Sequence, residues 1–417
     1  MSFITGLTRM WLIRTAKPFT FKNGYDQILP YAECENLGLY VHIPFCKSIC
    51  NFCPYCKVRY SAELCDRYID SLIQEIHIVG SQHAEHRKAT SLYFGGGTPA
   101  LAANRIKEIV NALSEHFIIT EGIGLELHPD NVNVETLQML KDAGVTKISI
   151  GIQSFCDKYQ KILGRKKIDT AEMMSALSAV SFETVSMDFI FALPGQTYDD
   201  LKSDIDTAFL LGANHVAIYP FIDFTFTESP VTAMPKKDKR ELLDAITQYC
   251  LGKGYSRNSI WTFSSGTDAN YSSMTRDNFL GFGCSATSLF KEQFKINTFD
   301  VDSYCERIRS GNLATSLTIR FTKRQRMVYW LFWTAYSTRV TAEDFEKFFG
   351  VSLKKMYGFE LWVAKQLGLV KEHNGTYEMT LKGAFYYHYY ENFYTLSYID
   401  KMWGIMRKEA FPEQIEL

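Results

Sequence analysis

Between residues 37 and 220 short apolar runs alternate with amphipathic stretches, and this alternation constrains the fold more than any other feature. LGLYVHI, residues 37–43, is apolar and β-rich. AELCDRYIDSLIQEIHIV then places Leu64, Tyr68, Ile69, Leu72, Ile73 and Ile76 at helical spacing. TSLYFGGGTPA reads as a short strand ending in three glycines. After it, helices near 103–117, 134–142, 170–180 and 198–211 are interleaved with the strands IGLELHP, KISIGIQSF, SMDFIFALPG and HVAIYPF. Some six β-then-α units in series call for parallel strands joined by right-handed crossovers. The fold class expected is therefore α/β, a partial (β/α)6 barrel over residues 37–225, with the polar residues at the C-terminal strand ends gathered into one site.

The flanks read differently. Residues 1–36 form an N-terminal extension, and 226–319 an extension of the barrel with substrate-side elements. From 320 to 417, FTKRQRMVYWLFWTAYS, TAEDFEKFFG and LKKMYGFELWVAKQLGLV suggest three helices, and VKEHNGTYEMTLKG a hairpin turning at Asn374-Gly375. That combination predicts a mainly helical, winged-helix-like C-terminal domain. The aromatic tail FYYHYYENFYTLSYIDKMW is read as core and packing surface.

Charge narrows the partners. A formal net charge of −1 gives no general attraction to polyanions, and no basic recognition-helix run is present, so nucleic acid is not expected. No apolar run reaches transmembrane length, and arginines interrupt the N-terminal apolar residues, so a cytoplasmic chain, read as a monomer, is expected.

Ten cysteines are present, and four of them crowd HIPFCKSICNFCPYCK: Cys46, Cys50, Cys53 and Cys56. In a chain of 417 residues such a knot points to metal or redox chemistry rather than a disulfide framework. A closed zinc site would want a second pair 12 to 20 residues away, which is missing. The bacterial ferredoxin run has spacings of two, two and three, the reverse of the order here. The remaining reading is C-x3-C-x2-C, three thiolates on a 4Fe–4S cluster that leave one iron open to a cofactor.

YVHIPFCKSICNFC, FGGGTP, ELHPDN, ISIGIQSF and MDFIFALPGQT together resemble the signature blocks of the radical SAM family typified by oxygen-independent coproporphyrinogen III oxidase. The resemblance covers about residues 37–300, in order. It implies a 4Fe–4S cluster on Cys46, Cys50 and Cys53 with S-adenosylmethionine (SAM) on the open iron. It further implies that Gly96, Gly97 and Thr98 hold the methionyl ammonium, Glu126 the ammonium or ribose, Gln153 and Asp188 the ribose, and Arg165 the carboxylate. Tyr40 matches an aromatic over the cluster and SAM, and Tyr40 and Cys56 are the residues expected beside the reacting centre. The partners implied are a small-molecule substrate and an electron donor such as flavodoxin or ferredoxin. His42 and His128 are read as structural groups; Arg276 and Asn278 as substrate-side candidates.

The family also contains heme chaperones and methyltransferase- or cyclopropanase-like members. Decarboxylating oxidases place a fourth thiol two residues after the third ligand, whereas Cys56 lies three residues after Cys53, displaced by Pro54-Tyr55. With no arginine cluster for four propionates, the sequence favours methyl or methylene transfer using a second SAM. Coproporphyrinogen III decarboxylation and heme-binding chaperone activity stand as alternatives.

Overall fold

The computed structural model describes residues 3–15, 17–227, 232–266 and 277–417. The apolar runs become six parallel strands paired in sequence order: β1 Leu37–Ile43, β2 Ser91–Gly96, β3 Ile123–Leu127, β4 Lys147–Gln153, β5 Thr184–Phe191 and β6 His215–Pro220. They are buried along most of their length, which is why they read as continuous apolar segments instead of alternating ones. Helices Ala62–Gly80, Ala103–Ser114, Val134–Asp142, Thr170–Ala179 and Tyr198–Leu210 return the chain between strands. Ser61, Asn133, Asp169 and Thr197 each cap a helix by accepting from its first free N–H groups, so the crossovers start where the sequence places short polar residues.

The six strands do not close on themselves. Beyond β1 the sheet continues through Asn278–Phe282, parallel to β1, then the antiparallel Thr287–Leu289, Gln293–Asn297 and Thr315–Arg320. Thr20–Lys22 is next, held between Thr315–Arg320 and Gln414–Glu416. The segment read only as an N-terminal extension thus supplies a strand, because Phe21 is buried with its ring edge-on to Phe294 at 6.5 Å. On the opposite edge, Thr262–Ser264 and Ser256–Arg257 add antiparallel strands next to β6.

Helices Lys323–Tyr336, Ala342–Phe349 and Leu353–Gln366 pack with a small sheet of Arg339–Thr341, Val370–His373 and Thr376–Met379. Met327, Trp330, Phe345, Phe349 and Tyr357 give this part a hydrophobic cluster of its own. Asn374 and Gly375 turn its hairpin with φ of 49° and 77°, the two left-handed positions a tight hairpin needs. The aromatic tail then forms Leu381–Tyr394, a π turn at Thr395–Ile399 and Asp400–Met406, and runs back over the strand ends. Asp400 accepts from the Thr225 N–H at 2.7 Å, and Arg407 donates to the carbonyls of Pro54 and Tyr55.

Candidate active site

The twelve residues given a ligand or site role lie on the wall of one cavity of about 1410 Å³ that runs through the barrel, from Ser91 and Lys147 at the N-terminal strand ends to the C-terminal ends: Tyr40, Cys46, Cys50, Cys53, Cys56, Gly96, Gly97, Thr98, Glu126, Gln153, Arg165 and Asp188. Local pairing shapes the cysteine loop. Phe45–Cys46 runs parallel to Val58–Arg59, and the N–H groups of Val58 and Tyr60 donate to the carbonyls of Pro44 and Cys46 at 2.8 and 2.9 Å. The two ends of the loop are therefore stapled together, and the three half-exposed thiols Cys46, Cys50 and Cys53 project from it as free side chains.

Their spacing is not that of a preformed single-ion site. Tetrahedral zinc at ~2.3 Å would draw its sulfurs to within about 3.8 Å of one another. Among the described residues, the one group of three potential ligands gathered within 4.8 Å is His77, Glu115 and His116, on the helices away from the cavity, and not the three cysteines. A cubane with one thiolate per iron keeps its thiolates farther apart. Burial pushes the Cys46 thiol up to about 11, so coordination itself would have to draw off the proton.

The glycines serve the loop as much as any ligand. A Cβ on Gly97 would lie 2.6 Å from the Phe45 carbonyl oxygen, and one on Gly96, at φ 120°, 2.8 Å from the His42 ring. Close approach is needed here, and its nearest cause is the backbone of the cysteine loop pressing on the end of β2. Thr98 Oγ1 reaches Cys46 Sγ at 3.8 Å.

Two carboxylates face the same space. Glu126 accepts from the Gly96 N–H at 3.2 Å, and burial followed by the nearby Asp188 charge holds it up at about 7. Asp188 accepts from Ser149 Oγ at 2.8 and 2.9 Å and from Ser186 Oγ at 3.3 Å, while burial holds it at about 6. Opposite Asp188 the pairing of β4 with β5 slips by one residue between Ile150 and Gln153. This bulge leaves Gln153 at φ 71°, a left-handed conformation unusual for glutamine and typical of a re-aimed functional side chain. Arg165 donates to the Gly151 carbonyl inside the bulge, sits 5.9 Å over the Phe52 ring, and keeps a buried Nε with no hydrogen-bond partner. Two raised carboxylates and one guanidinium on a cavity wall form a site for a zwitterion bearing an extra positive charge, which is the charge pattern of SAM. The residues present fit both groups.

Some expectations change. Asn278 is buried in its strand and donates to the Glu35 carbonyl at 3.1 Å, so it holds the sheet and does not face a substrate; Arg276 lies outside the described residues. His42 is a satisfied structural group, as read, but a central one: Nδ1 lies 3.0 Å from the Tyr40 hydroxyl and Nε2 3.1 Å from the Cys56 carbonyl. Ser149 and Ser186 were missed, although each is a small polar residue in a largely apolar strand and supports Asp188. The largest addition is the aromatic tail. Tyr387, Tyr390, Tyr394, Tyr398 and Trp403 line the cavity together with Phe332, Tyr336 and Phe294, so the tail packs on the core, as read, and also forms cavity wall. The Pro54-Tyr55 insert also acquires a reason, since its carbonyls anchor Arg407 and the Tyr55 ring lies 5.9 Å from Trp403.

Residues 40–208 match the family model of the Radical SAM superfamily. The heme chaperone HemW of Lactococcus lactis subsp. lactis is 28% identical, covering 82% of this chain and 93% of its own length. The oxygen-independent coproporphyrinogen III oxidase of Pseudomonas aeruginosa is 25% identical over 81% of each chain. The structure of coproporphyrinogen III oxidase HemN from Escherichia coli superposes with a TM-score of 0.76, covering 93% of this chain and 98% of its own, at 21% identity, which shows a shared fold. Methyl or methylene transfer, the reaction favoured from the sequence, has no counterpart in these relatives and draws no support from them. No helix among the described residues is long and apolar enough to cross a membrane.

Proposed function

This chain carries a radical SAM domain over residues 40–208, and from that premise we propose an enzyme that directs radical chemistry at a tetrapyrrole-class substrate. A 4Fe–4S cluster and SAM, the cofactors of the family, would supply the radical chemistry here, with an electron carrier of the ferredoxin or flavodoxin kind as partner. The chain's own residues do the rest. Cys46, Cys50 and Cys53 would hold three of the cluster's irons. Gly96, Gly97 and Thr98 offer polar backbone and hydroxyl groups to the SAM ammonium, Glu126 and Asp188 counter its positive charge and bind its ribose with Gln153, and Arg165 takes its carboxylate. Tyr40 covers the reacting centre, and Arg407 and Trp403 close the cysteine loop against water.

The observation that carries the substrate class is the cavity itself. At about 1410 Å³ it exceeds the usual small-molecule site of roughly 300–1,000 Å³; part of it lies inside the barrel beside Ser91 and Lys147, and the rest is space for SAM and a second molecule. Its far wall is a continuous aromatic surface on which a flat macrocycle would stack. The described cations of the wall are Lys47, Lys57, Lys147 and Arg165, none of them on the aromatic side. A substrate with fewer carboxylates than coproporphyrinogen III suits this wall better.

Anaerobic reconstitution with iron and sulfide, followed by SAM and dithionite, is expected to give 5′-deoxyadenosine, faster with a porphyrinogen present. Absence of 5′-deoxyadenosine from protein holding about four irons and four sulfides sinks the enzyme reading. Methionine-derived methyl label in the product would restore methyl transfer. Heme binding is a second reading, supported by the near full-length match to HemW; heme retained through gel filtration without SAM consumption would favour it.

A further inference from the structure

Two thiols from distant parts of the chain meet behind the cysteine loop. Cys56 Sγ lies 3.8 Å from Cys284 Sγ, across 228 residues of sequence. Cys56 is 6% exposed and touches the cavity; Cys284 is fully buried in the turn after Asn278–Phe282. Neither residue has a part in the proposed cofactor binding, although the sequence places Cys56 beside the reacting centre.

The surroundings hold the pair in register. The Cys56 thiol donates to the Phe299 carbonyl at 3.2 Å, and its own carbonyl is 3.1 Å from His42 Nε2. The Cys284 N–H donates to the Tyr68 hydroxyl at 2.9 Å, which in turn donates to the His42 carbonyl at 2.7 Å. Ser285, the next residue, is at φ 57° and 3.2 Å from the same His42 ring. Both cysteines are thus fixed to one histidine. A disulfide needs its sulfurs at about 2.05 Å, so closure asks for roughly 1.8 Å of movement, on the scale of side-chain rotation.

We propose that Cys56 and Cys284 form a reversible dithiol–disulfide site, oxidised by a hydroperoxide that reaches Cys56 through the cavity. The Cys56 thiolate attacks the peroxide oxygen, breaking the O–O bond; with one proton taken up this yields a sulfenic acid and water, or an alcohol from an organic peroxide. The Cys284 thiol then attacks the sulfenic sulfur and forms the S–S bond, and hydroxide leaves with the thiol proton as water. In sum, two thiols lose two electrons and two protons, and the peroxide is reduced by two electrons. A dithiol reductant reverses the process by exchange. The polarity of the pair suits this order: the hydrogen bond from Cys284 and then His42 draw the Cys56 thiol well below its usual range, while burial holds Cys284 well above it. The oxidised form ties the segment after Cys53 to the strand neighbouring β1 and removes a thiol from the cavity wall.

The test uses cluster-loaded protein under anaerobic conditions, so that Cys46, Cys50 and Cys53 are held by iron. One equivalent of hydrogen peroxide is added, bound iron is measured, free thiols are blocked with N-ethylmaleimide in acid, and unreduced peptides are read by mass spectrometry. A Cys56–Cys284 linked peptide, two fewer blocked thiols, retained iron and reversal by dithiothreitol are expected. In Cys284→Ala the Cys56 oxidation should stop at a sulfenic acid that dimedone traps. Alkylation of both cysteines in iron-retaining protein overturns the proposal. So does a disulfide that joins Cys56 to Cys53 instead.

Discussion

The two ends of the cavity are built by opposite means. The cluster end comes from local segments: three cysteines within eight positions, a glycine run at one strand end, and polar residues at the ends of β3, β4 and β5. The far end is assembled from residues on separate elements, with Phe294, Phe332, Tyr336 and Tyr394, spread over about a hundred positions, meeting on one wall. Chemistry shared by a superfamily has to survive in short fixed arrays, whereas a binding wall needs only shape and apolar area, which many sequences supply. The cluster end therefore announces itself, and the substrate end does not.

Variants at each end should separate these roles. The largest effect is expected from Cys46, Cys50 or Cys53→Ala, each abolishing the cluster absorbance and 5′-deoxyadenosine formation. Cys56→Ala should keep about four irons per chain; loss of iron there would move the boundary of the ligand set. Asp188→Asn and Arg165→Ala should each weaken SAM by about 1.5–3 kcal/mol, the worth of hydrogen bonds to charged groups, or roughly 10- to 100-fold in Kd by equilibrium dialysis. An unchanged Kd in both would separate the SAM site from this cluster of residues.

pH supplies an intermediate test. Glu126 at about 7 and Asp188 at about 6 sit above their usual range through burial. Both must ionise to hold a cation, so SAM affinity should rise from pH 6 to 8, and Glu126→Gln should flatten the upper part of that rise. The SAM-free chain behaves oppositely. A raised carboxylate pKa stabilises the fold below its unfolded value, and that contribution disappears as pH climbs through the folded value. Thermal midpoints without SAM should therefore fall over the same range, less in Glu126→Gln.

At the aromatic end, Tyr394→Leu and Phe332→Leu should leave substrate-free SAM cleavage standing. Each should weaken porphyrinogen binding by about 0.5–1.5 kcal/mol, the worth of one aromatic contact, or roughly 2- to 10-fold. Equal losses in both activities would mean that the two ends act as one unit. The smallest effect belongs to Gly375→Ala at φ 77°. It should lower thermal stability by about 1 kcal/mol with SAM binding unchanged, since its hairpin lies outside the cavity wall.

Legibility follows the same division. The parallel strands were readable because burial on both faces makes unbroken apolar runs. The Asn374-Gly375 hairpin was readable because few residues tolerate two left-handed positions. The strand Thr20–Lys22 was not, since three residues carry no periodicity. Neither was the left-handed Gln153, whose bulge exists only in the register between two strands. Cys284 gave no sign of its partner because their closeness is a property of the folded sheet and not of any spacing.

The edge of the sheet carries one more consequence. Thr20–Lys22 pairs with Gln414–Glu416 across nearly four hundred residues, while the cysteine loop is stapled across about a dozen. Contacts of such different range form at different times, the local ones first. A growing or refolding chain thus presents a finished loop while the aromatic wall and the sheet edge beside it are still open. Iron and sulfide can enter through that gap, and the seam that joins the two ends of the fold shuts afterwards.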